Sequence, residues 1–250
     1  MKALITGASS GIGRDVAREL SSMGYDLILV ARRKNRLEEL QKELPTNVEI
    51  ITSDLSSTFN CVKLYERVKK EDIDVVINNA GFGLAGEFTE LNLDRELDMV
   101  DLNIKAVHTL TKCFLKDFKE KDKGYILNVA SSAAFQAGPL MATYYATKVY
   151  VLNLTTAIYE ELRRNKSNVY VGCLCPGPVD TEFNNVAKVE FKMKSLSSEY
   201  VAKYAINKMF KRKLVIIPGF QMKFVYFISK LAPRKLKLKI TYNIQKRKLG

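Results

Sequence analysis

The chain has one histidine, four cysteines and no run of 18 apolar residues, and beyond Glu199 it has no acidic residue at all. Each scarcity excludes something. A lone His108, set in a helical pattern, rules out a metal site built from several histidines and reads as structural. Without a long apolar run, nothing is expected to span a bilayer. Lys2 is followed by only three apolar residues before Thr6-Gly7, too few for a secretory leader. Cys61, Cys113, Cys173 and Cys175 form no disulfide framework, and the last two fall in an apolar strand pattern. They are expected to be reduced and mostly buried, in a cytoplasmic protein. No internal repeat, low-complexity tract or interdomain linker precedes the C-terminal tail.

The missing acids are concentrated in that tail. Of the 40 Lys and Arg, 14 lie in Tyr200–Gly250, so the first 199 residues hold 26 basic against 27 acidic groups. The body is close to neutral, and the tail carries the whole excess of +13. With 47% hydrophobic and 27% charged residues over 250 positions, the chain can bury a full core as one globular domain.

Strands and helices alternate along it. Lys2–Thr6, Asp26–Ala31, Val48–Thr52, Asp74–Asn78, Gly124–Ala130, Val169–Cys175 and Leu214–Ile217 read as strands. The continuous apolar character of Asp26–Ala31 suits a strand covered on both faces. Helices are expected after Gly11, over Lys34–Leu44, Ser56–Lys70, Asn103–Phe118, Met141–Glu161 and Ser197–Phe210, with a loop at Pro176–Ser195. This alternation predicts an α/β fold, a doubly wound parallel sheet of seven strands with helices on both faces.

Two stretches carry chemistry. Thr6-Gly7-x-x-x-Gly11-Ile12-Gly13 stands between a strand and a helix. Glycines there let the backbone approach a pyrophosphate, and the helix N-terminus offers it free N–H groups and a positive dipole end. In the helix from Met141, Tyr144 and Lys148 are four apart and share a face. A neighbouring ammonium favours phenolate, so the pair predicts a lowered tyrosine pKa and a general acid/base.

T-G-x-x-x-G-I-G at the first strand, Asn78-Asn79-Ala80-Gly81 after the fourth and Tyr144-x-x-x-Lys148 in a later helix together resemble the short-chain dehydrogenase/reductase family. The likeness covers about residues 2–217, with the motifs in the family's order, and implies a Rossmann-type fold. It also implies roles. Ser9 and Ile12 would lie beside cofactor phosphates, Asp54-Leu55 at adenine, and Asn79, Ala80 and Gly81 over the cofactor ribose. Where an NAD site wants a carboxylate for the ribose 2′-hydroxyl, the second strand ends in Arg32 and Arg33. Guanidinium pairs well with phosphate, so NADP(H) is the expected cofactor, with Arg32 the first choice of contact and Arg33 the second. Ser131 matches the family's catalytic serine, Ser132 being the alternative one residue on. Asn103 matches the asparagine that holds a relay water. Pro176, Gly177, Val179 and Thr181 match the nicotinamide loop, and Glu182–Ser195 an expected lid offering Phe183, Val186, Val189 and Phe191 with Lys188, Lys192 and Lys194.

The expected activity is interconversion of a carbonyl compound and an alcohol, with Tyr144 as acid, Ser131 polarising the oxygen and Lys148 holding the ribose. A non-catalytic NADP(H)-binding sensor or scaffold is the competing class. Substrate identity is not legible. Residues 1–217 are expected to form the catalytic domain and 218–250 a basic extension. In that extension Phe220, Phe224, Phe227, Ile228 and Leu231 make a helical apolar stripe, broken by Pro233. Leu236, Ile240 and Ile244 follow among cations. The extension docks on an anionic membrane surface, packs on the protein itself, or meets a partner subunit. Alternation over Lys235–Ile240 leaves a strand open there. No stacking platform accompanies the charge, so nucleic acid is not the expected partner. The family resemblance leaves a homo-oligomer open.

Overall fold

Alternate residues of the central strands enter opposite cores. Ala3, Ile5, Leu27 and Leu29 join one apolar cluster, and Leu4, Ile28 and Val30 join the other. Side chains of a strand point to opposite faces in turn, so a strand apolar at every position needs a helical layer on each side. That requirement is met. In this computed structural model, which describes residues 1–187 and 195–247 but no side chains at 185, 186 and 228–231, seven parallel strands form one sheet. These are β1 (Lys2–Thr6), β2 (Asp26–Ala31), β3 (Val48–Thr52), β4 (Ile73–Asn78), β5 (Tyr125–Val129), β6 (Tyr170–Leu174) and, last in the chain, β9 (Val215–Ile216). Their order is β3-β2-β1-β4-β5-β6-β9. A second, two-stranded sheet pairs β7 (Val179–Asp180) with β8 (Leu196–Ser197).

On one face lie α1 (Gly11–Ser22), α2 (Lys34–Glu43) and, later in the chain, α8 (Ser198–Phe210). They contribute Val16, Leu20, Leu37, Leu40, Ile206 and Met209. On the other face lie α3 (Thr58–Val68), α5 (Val107–Lys121) and α6 (Ala142–Arg164), contributing Leu64, Phe114, Phe118 and Leu162. The chain leaves β1 for β2 and β3 on one side, then returns past β1 to β4 on the other. The carboxyl ends of β1 and β4 therefore bound a crevice at the point of reversal, where ligands of such sheets bind.

Three segments differ from the sequence expectation. The helix expected over Asn103–Phe118 is a π-helical stretch Asp101–Ala106 followed by α5, and a further helix, α4 (Leu93–Val100), precedes it. Leu93, Leu97 and Val100 have helical spacing, but Leu93 and Leu97 face solvent rather than the core. The loop Pro176–Ser195 contains β7 and α7 (Phe183–Ala187). Of the expected lid, Lys188, Val189, Phe191, Lys192 and Lys194 lie outside the described residues, as does the side chain of Val186. The tail is helical, α9 (Phe220–Leu231) and α10 (Arg234–Lys246) separated by Pro233, and the strand alternative is not adopted. Met222 and Tyr226 of α9 pack on the cluster containing Ala134 and Cys175, and the Tyr226 ring lies tilted against Phe135, 4.3 Å between ring centres. Of the expected apolar stripe, Phe220, Phe224 and Phe227 point outward, and the side chains of Ile228 and Leu231 lie outside the described residues.

Candidate active site

A cavity of about 560 Å³ opens at the carboxyl ends of β1 and β4 and runs across β5 towards the tail. At one end is the glycine loop. Thr6 Oγ1 accepts from the backbone N–H groups of Asn79 (3.0 Å) and Ala80 (3.1 Å), and Asn79 Nδ2 donates back to the carbonyls of Thr6 and Gly7. These bonds stitch β1 to β4 at the crevice floor. A methyl at Gly13 would stand 2.4 Å from both the Gly7 carbonyl oxygen and Asn79 Nδ2, so only glycine lets α1 approach its own loop. Gly11 has φ +54°, and a Cβ there would meet Thr181 Cγ2 at 2.9 Å. The loop after β6 thus lies directly on the glycine loop, joining two distant motifs in one wall.

The N-terminus of α1 has no side-chain cap, unlike α3, α4 and α8, capped by Ser57, Asn92 and Ser197. Its N–H groups are left for a ligand. Arg33 lies above them, donating to Ser9 Oγ (3.2 Å) and Ser10 Oγ (3.0 Å) and pairing with Glu182 at 2.8 Å. Arg32 reaches out to Asp54 at 3.7 Å and is more exposed. For Asp54, burial works against ionisation, but the Ser56 N–H and hydroxyl, with Arg32, hold its carboxyl below the usual range. Two guanidiniums, two serine hydroxyls and an uncapped helix form a donor set that fits a phosphorylated dinucleotide. Within the protein Arg33, bonded to both serines, is the more engaged of the two arginines, and Arg32 the more exposed.

At the other end Tyr144, Ser131 and Lys148 converge. Tyr144 is 8% exposed, and its ring packs 5.4 Å from Phe183 and 6.1 Å from Tyr145, centre to centre. Burial drives its pKa well above the ordinary value, and a hydrogen bond with Ser131 opposes this. Ser131 Oγ accepts from the Ala133 N–H at 3.1 Å at the mouth of a short 3₁₀ turn, which fixes the hydroxyl. Lys148, 6% exposed, donates from Nζ to the Val129 carbonyl at 3.1 Å and lies 5.8 Å from the centre of the Tyr144 ring. Burial lowers its pKa from 10.5 to about 8, against a small opposing effect of Cys173 and Cys175. The expectation of a lowered tyrosine pKa is therefore not met in this state: desolvation dominates, and the group that opposes it is Ser131 rather than Lys148.

All of the expected site residues line this cavity except Gly13 and Asn103. Asn103 stands fully buried behind the wall. Its Oδ1 accepts from the Phe82 N–H (3.1 Å), and its Nδ2 donates to the Phe82 carbonyl (2.9 Å) and Thr147 Oγ1 (3.1 Å). It thereby ties the loop after β4 to α6. Beneath it, Asn78, Thr111, Asn128 and Thr155 form a buried hydrogen-bonded chain across β4, α5, β5 and α6.

A model of the short chain dehydrogenase family matches residues 1–190. The chain belongs to that family. Among its relatives, an uncharacterized oxidoreductase of Staphylococcus epidermidis is 34% identical over 181 residues, 72% of this chain and 78% of that one. The NADP-dependent 3-hydroxy acid dehydrogenase of Schizosaccharomyces pombe is 33% identical over 231 residues, 86% of this chain and 88% of that protein. The solved structure of a short-chain dehydrogenase from Sphingobium yanoikuyae in complex with NADPH superposes with a TM-score of 0.83 at 29% identity, covering 94% of each chain. The protein is thus a short-chain dehydrogenase/reductase oxidoreductase with a Rossmann-type sheet.

Sequence reasoning missed several residues of this cavity. Tyr145, three positions before Lys148 and so out of the Tyr-x-x-x-Lys spacing, contributes its ring to the wall. Met222 and Gln245 come from the tail. A Cβ at Gly177 would meet Met222 Cγ at 2.6 Å, so the loop after β6 and α9 are in direct contact. Of the tail's expected apolar residues whose side chains are described, only Ile244 lines the cavity, beside Met222, Val225 and Gln245, so the tail's periodicity does not point to that role. Among the described residues no helix is long and apolar enough to cross a membrane.

Proposed function

We propose that this short-chain dehydrogenase/reductase is NADP(H)-dependent and interconverts a ketone or aldehyde and the corresponding alcohol. The observation that carries the reading is the pairing of Arg32 and Arg33 at one end of a single cavity with Tyr144, Ser131 and Lys148 at the other. NADPH, when bound, supplies the hydride. The chain's own residues do the rest. Tyr144, kept protonated by burial, gives its proton to the carbonyl oxygen. The Ser131 hydroxyl, fixed by Ala133, is aimed to donate to the same oxygen as charge develops there. Lys148, anchored on the Val129 carbonyl, has further N–H donors for the cofactor ribose. Asn103 holds the loop after β4 in register with α6, and its relay-water role stands as part of this proposal.

A sensor module would need the glycines and arginines but no buried phenol beside a fixed serine, which favours the enzyme. The relative from Schizosaccharomyces pombe and the NADPH complex from Sphingobium yanoikuyae support the choice of cofactor. The test is NADPH oxidation against a panel of carbonyl compounds, from short aldehydes to lipid-like ketones and 3-oxo esters. No turnover across the panel, with NADPH bound, would leave the sensor as the reading.

The partner proposed for the tail is an anionic membrane surface. Phe220 is 83% exposed, with Phe224 and Phe227 also open to solvent on α9, and Leu236, Ile240 and Ile244 on α10. Arg234, Lys235, Lys239, Lys246 and Arg247 are exposed beside them. Aromatic side chains flanked by cations suit a lipid interface, and each cation near such a surface contributes about 1 kcal/mol. A second copy of the same cationic tail is repelled, which argues against self-association through this face.

A further inference from the structure

The last helix is set with its polar side inward. An amphipathic helix ordinarily buries its apolar stripe. In α10 the buried residues are Thr241 and Gln245, four apart on one face, while Leu236, Ile240 and Ile244 are about half-exposed. Thr241 Oγ1 accepts from Gln136 Nε2 at 2.8 Å, which accounts for one of the two. Gln245 is 2% exposed, and its Nε2 donates to the Tyr145 hydroxyl across 100 residues of sequence. Its Oε1 has no hydrogen-bond partner among the described residues. Leaving a buried amide oxygen unpaired is costly unless something else meets it. Both Gln245 and Tyr145 line the cavity, and the Tyr145 ring stands 6.1 Å from that of Tyr144, nearly perpendicular to it.

We propose that Tyr145 and Gln245 form a polar subsite for a second oxygen-bearing group of the substrate, a carbonyl of an ester, thioester or carboxyl group a few bonds from the reacting carbonyl. The hydrogen-bond inventory selects this class. With Gln245 Nε2 donating to the phenol, the phenol keeps its own proton to donate. With the amide turned over, Oε1 accepts that proton and the NH₂ takes the otherwise unpaired position. This second arrangement satisfies Oε1 and leaves an amide N–H to donate, whereas the first would keep Oε1 unpaired, and a carbonyl oxygen is the acceptor that uses the free N–H. The cavity wall includes the apolar side chains of Phe82, Met141, Phe183, Met222, Val225 and Ile244, with Arg95, Ser132 and Asn184 among its other polar groups. A site built to hydrogen-bond a substrate group discriminates strongly against the analogue lacking it, because its own polar atoms are then left unpaired.

This inference rests on the carbonyl-reductase reading above and is tested so that the two can fail separately. The probes are ethyl acetoacetate and 2-heptanone, chains of equal length with and without the second carbonyl, reduced with NADPH. The quantity read is the ratio of their kcat/KM values, compared between variants so that intrinsic reactivity cancels. In Gln245→Met and in Tyr145→Phe the ratio should fall at least about tenfold, with 2-heptanone turnover kept within about threefold. Thr241→Val, which loosens α10 without touching the subsite, should leave the ratio unchanged. A ratio unaffected by Gln245→Met and Tyr145→Phe, or a parallel loss of both substrates, overturns the proposal and leaves the pair as a clasp for α10. If the unchanged protein reduces neither these ketones nor any other compound of the panel, the function reading fails. With neither ketone reduced, the subsite is decided by calorimetric affinities of the NADP⁺-loaded protein for ethyl 3-hydroxybutyrate and 2-heptanol. Preference for the former, lost in Gln245→Met, supports it, and equal affinities overturn it.

Discussion

Lys148 carries its ammonium where a charge is least well solvated. Burial pulls its pKa from 10.5 to about 8, and the direct protein contact on Nζ is the Val129 carbonyl at 3.1 Å. The unfolded chain holds this proton up to about 10.5, whereas the folded protein releases it near 8. The folded state is therefore penalised in full below pH 8 and relieved as pH climbs from 8 to 10.5. That gap corresponds to roughly 3 kcal/mol. Lys148→Met keeps the length of the side chain and removes the charge, at the cost of the bond to Val129, worth about 1 kcal/mol. The variant should be more stable by about 2 kcal/mol near neutral pH, with Tm raised by about 4–8 °C. It should also be inactive. Thermal unfolding followed by circular dichroism without added cofactor, near neutrality and again near pH 10, checks the sign: the gain should shrink at the higher pH. A variant less stable than the parent at neutral pH, or a gain independent of pH, would refute the reasoning.

Tyr144→Phe should abolish turnover and leave NADPH affinity almost unchanged, because the ring still packs on Phe183 and Tyr145. Substantial residual activity would move the acid to another group. Replacing Arg32 and Arg33 together by Ala should erase the preference for NADPH over NADH, each charge-assisted contact contributing about 1.5–3 kcal/mol. Titrations showing equal affinities in the unchanged protein would refute that assignment. Gly13→Ala, whose methyl has no room beside the Gly7 carbonyl, should lose cofactor binding before it loses the fold, seen as weak NADPH binding with a native circular dichroism spectrum. Sedimentation with phosphatidylglycerol vesicles should carry the full chain down at low salt and release it at high salt. Phe220→Ser with Phe224→Ser and Lys235→Glu with Lys239→Glu should stay in the supernatant, and a parent that never sediments rules the membrane out.

The fold and most of the cavity could be read from sequence because their signals are local. A strand apolar at every position, such as Asp26–Ala31, needs two covering layers wherever it sits. The glycines before α1 stand next to the helix end they serve. Tyr144 and Lys148 share a face by helical spacing alone. Tertiary structure decided the rest. The extra helix α4 and the π-helical stretch before α5 were decided by tertiary structure: Leu93 and Leu97 have helical spacing but face solvent, and only Met99 of α4 is an apolar side chain buried in the core. The proton affinity of Tyr144 depends on the depth of the site, and sequence shows its cationic neighbour but not its desolvation. The tail shows the separation most plainly. Its composition and periodicity point to a cationic amphipathic helix over Phe220–Leu231 and leave helix or strand open after Pro233. Which face turns inward follows from the shape and polarity of what lies beneath, Gln136 and Tyr145, contributed by residues 100 and more positions away. Only the folded chain brings those surfaces together, and with them the Gln245 amide beside the cavity wall.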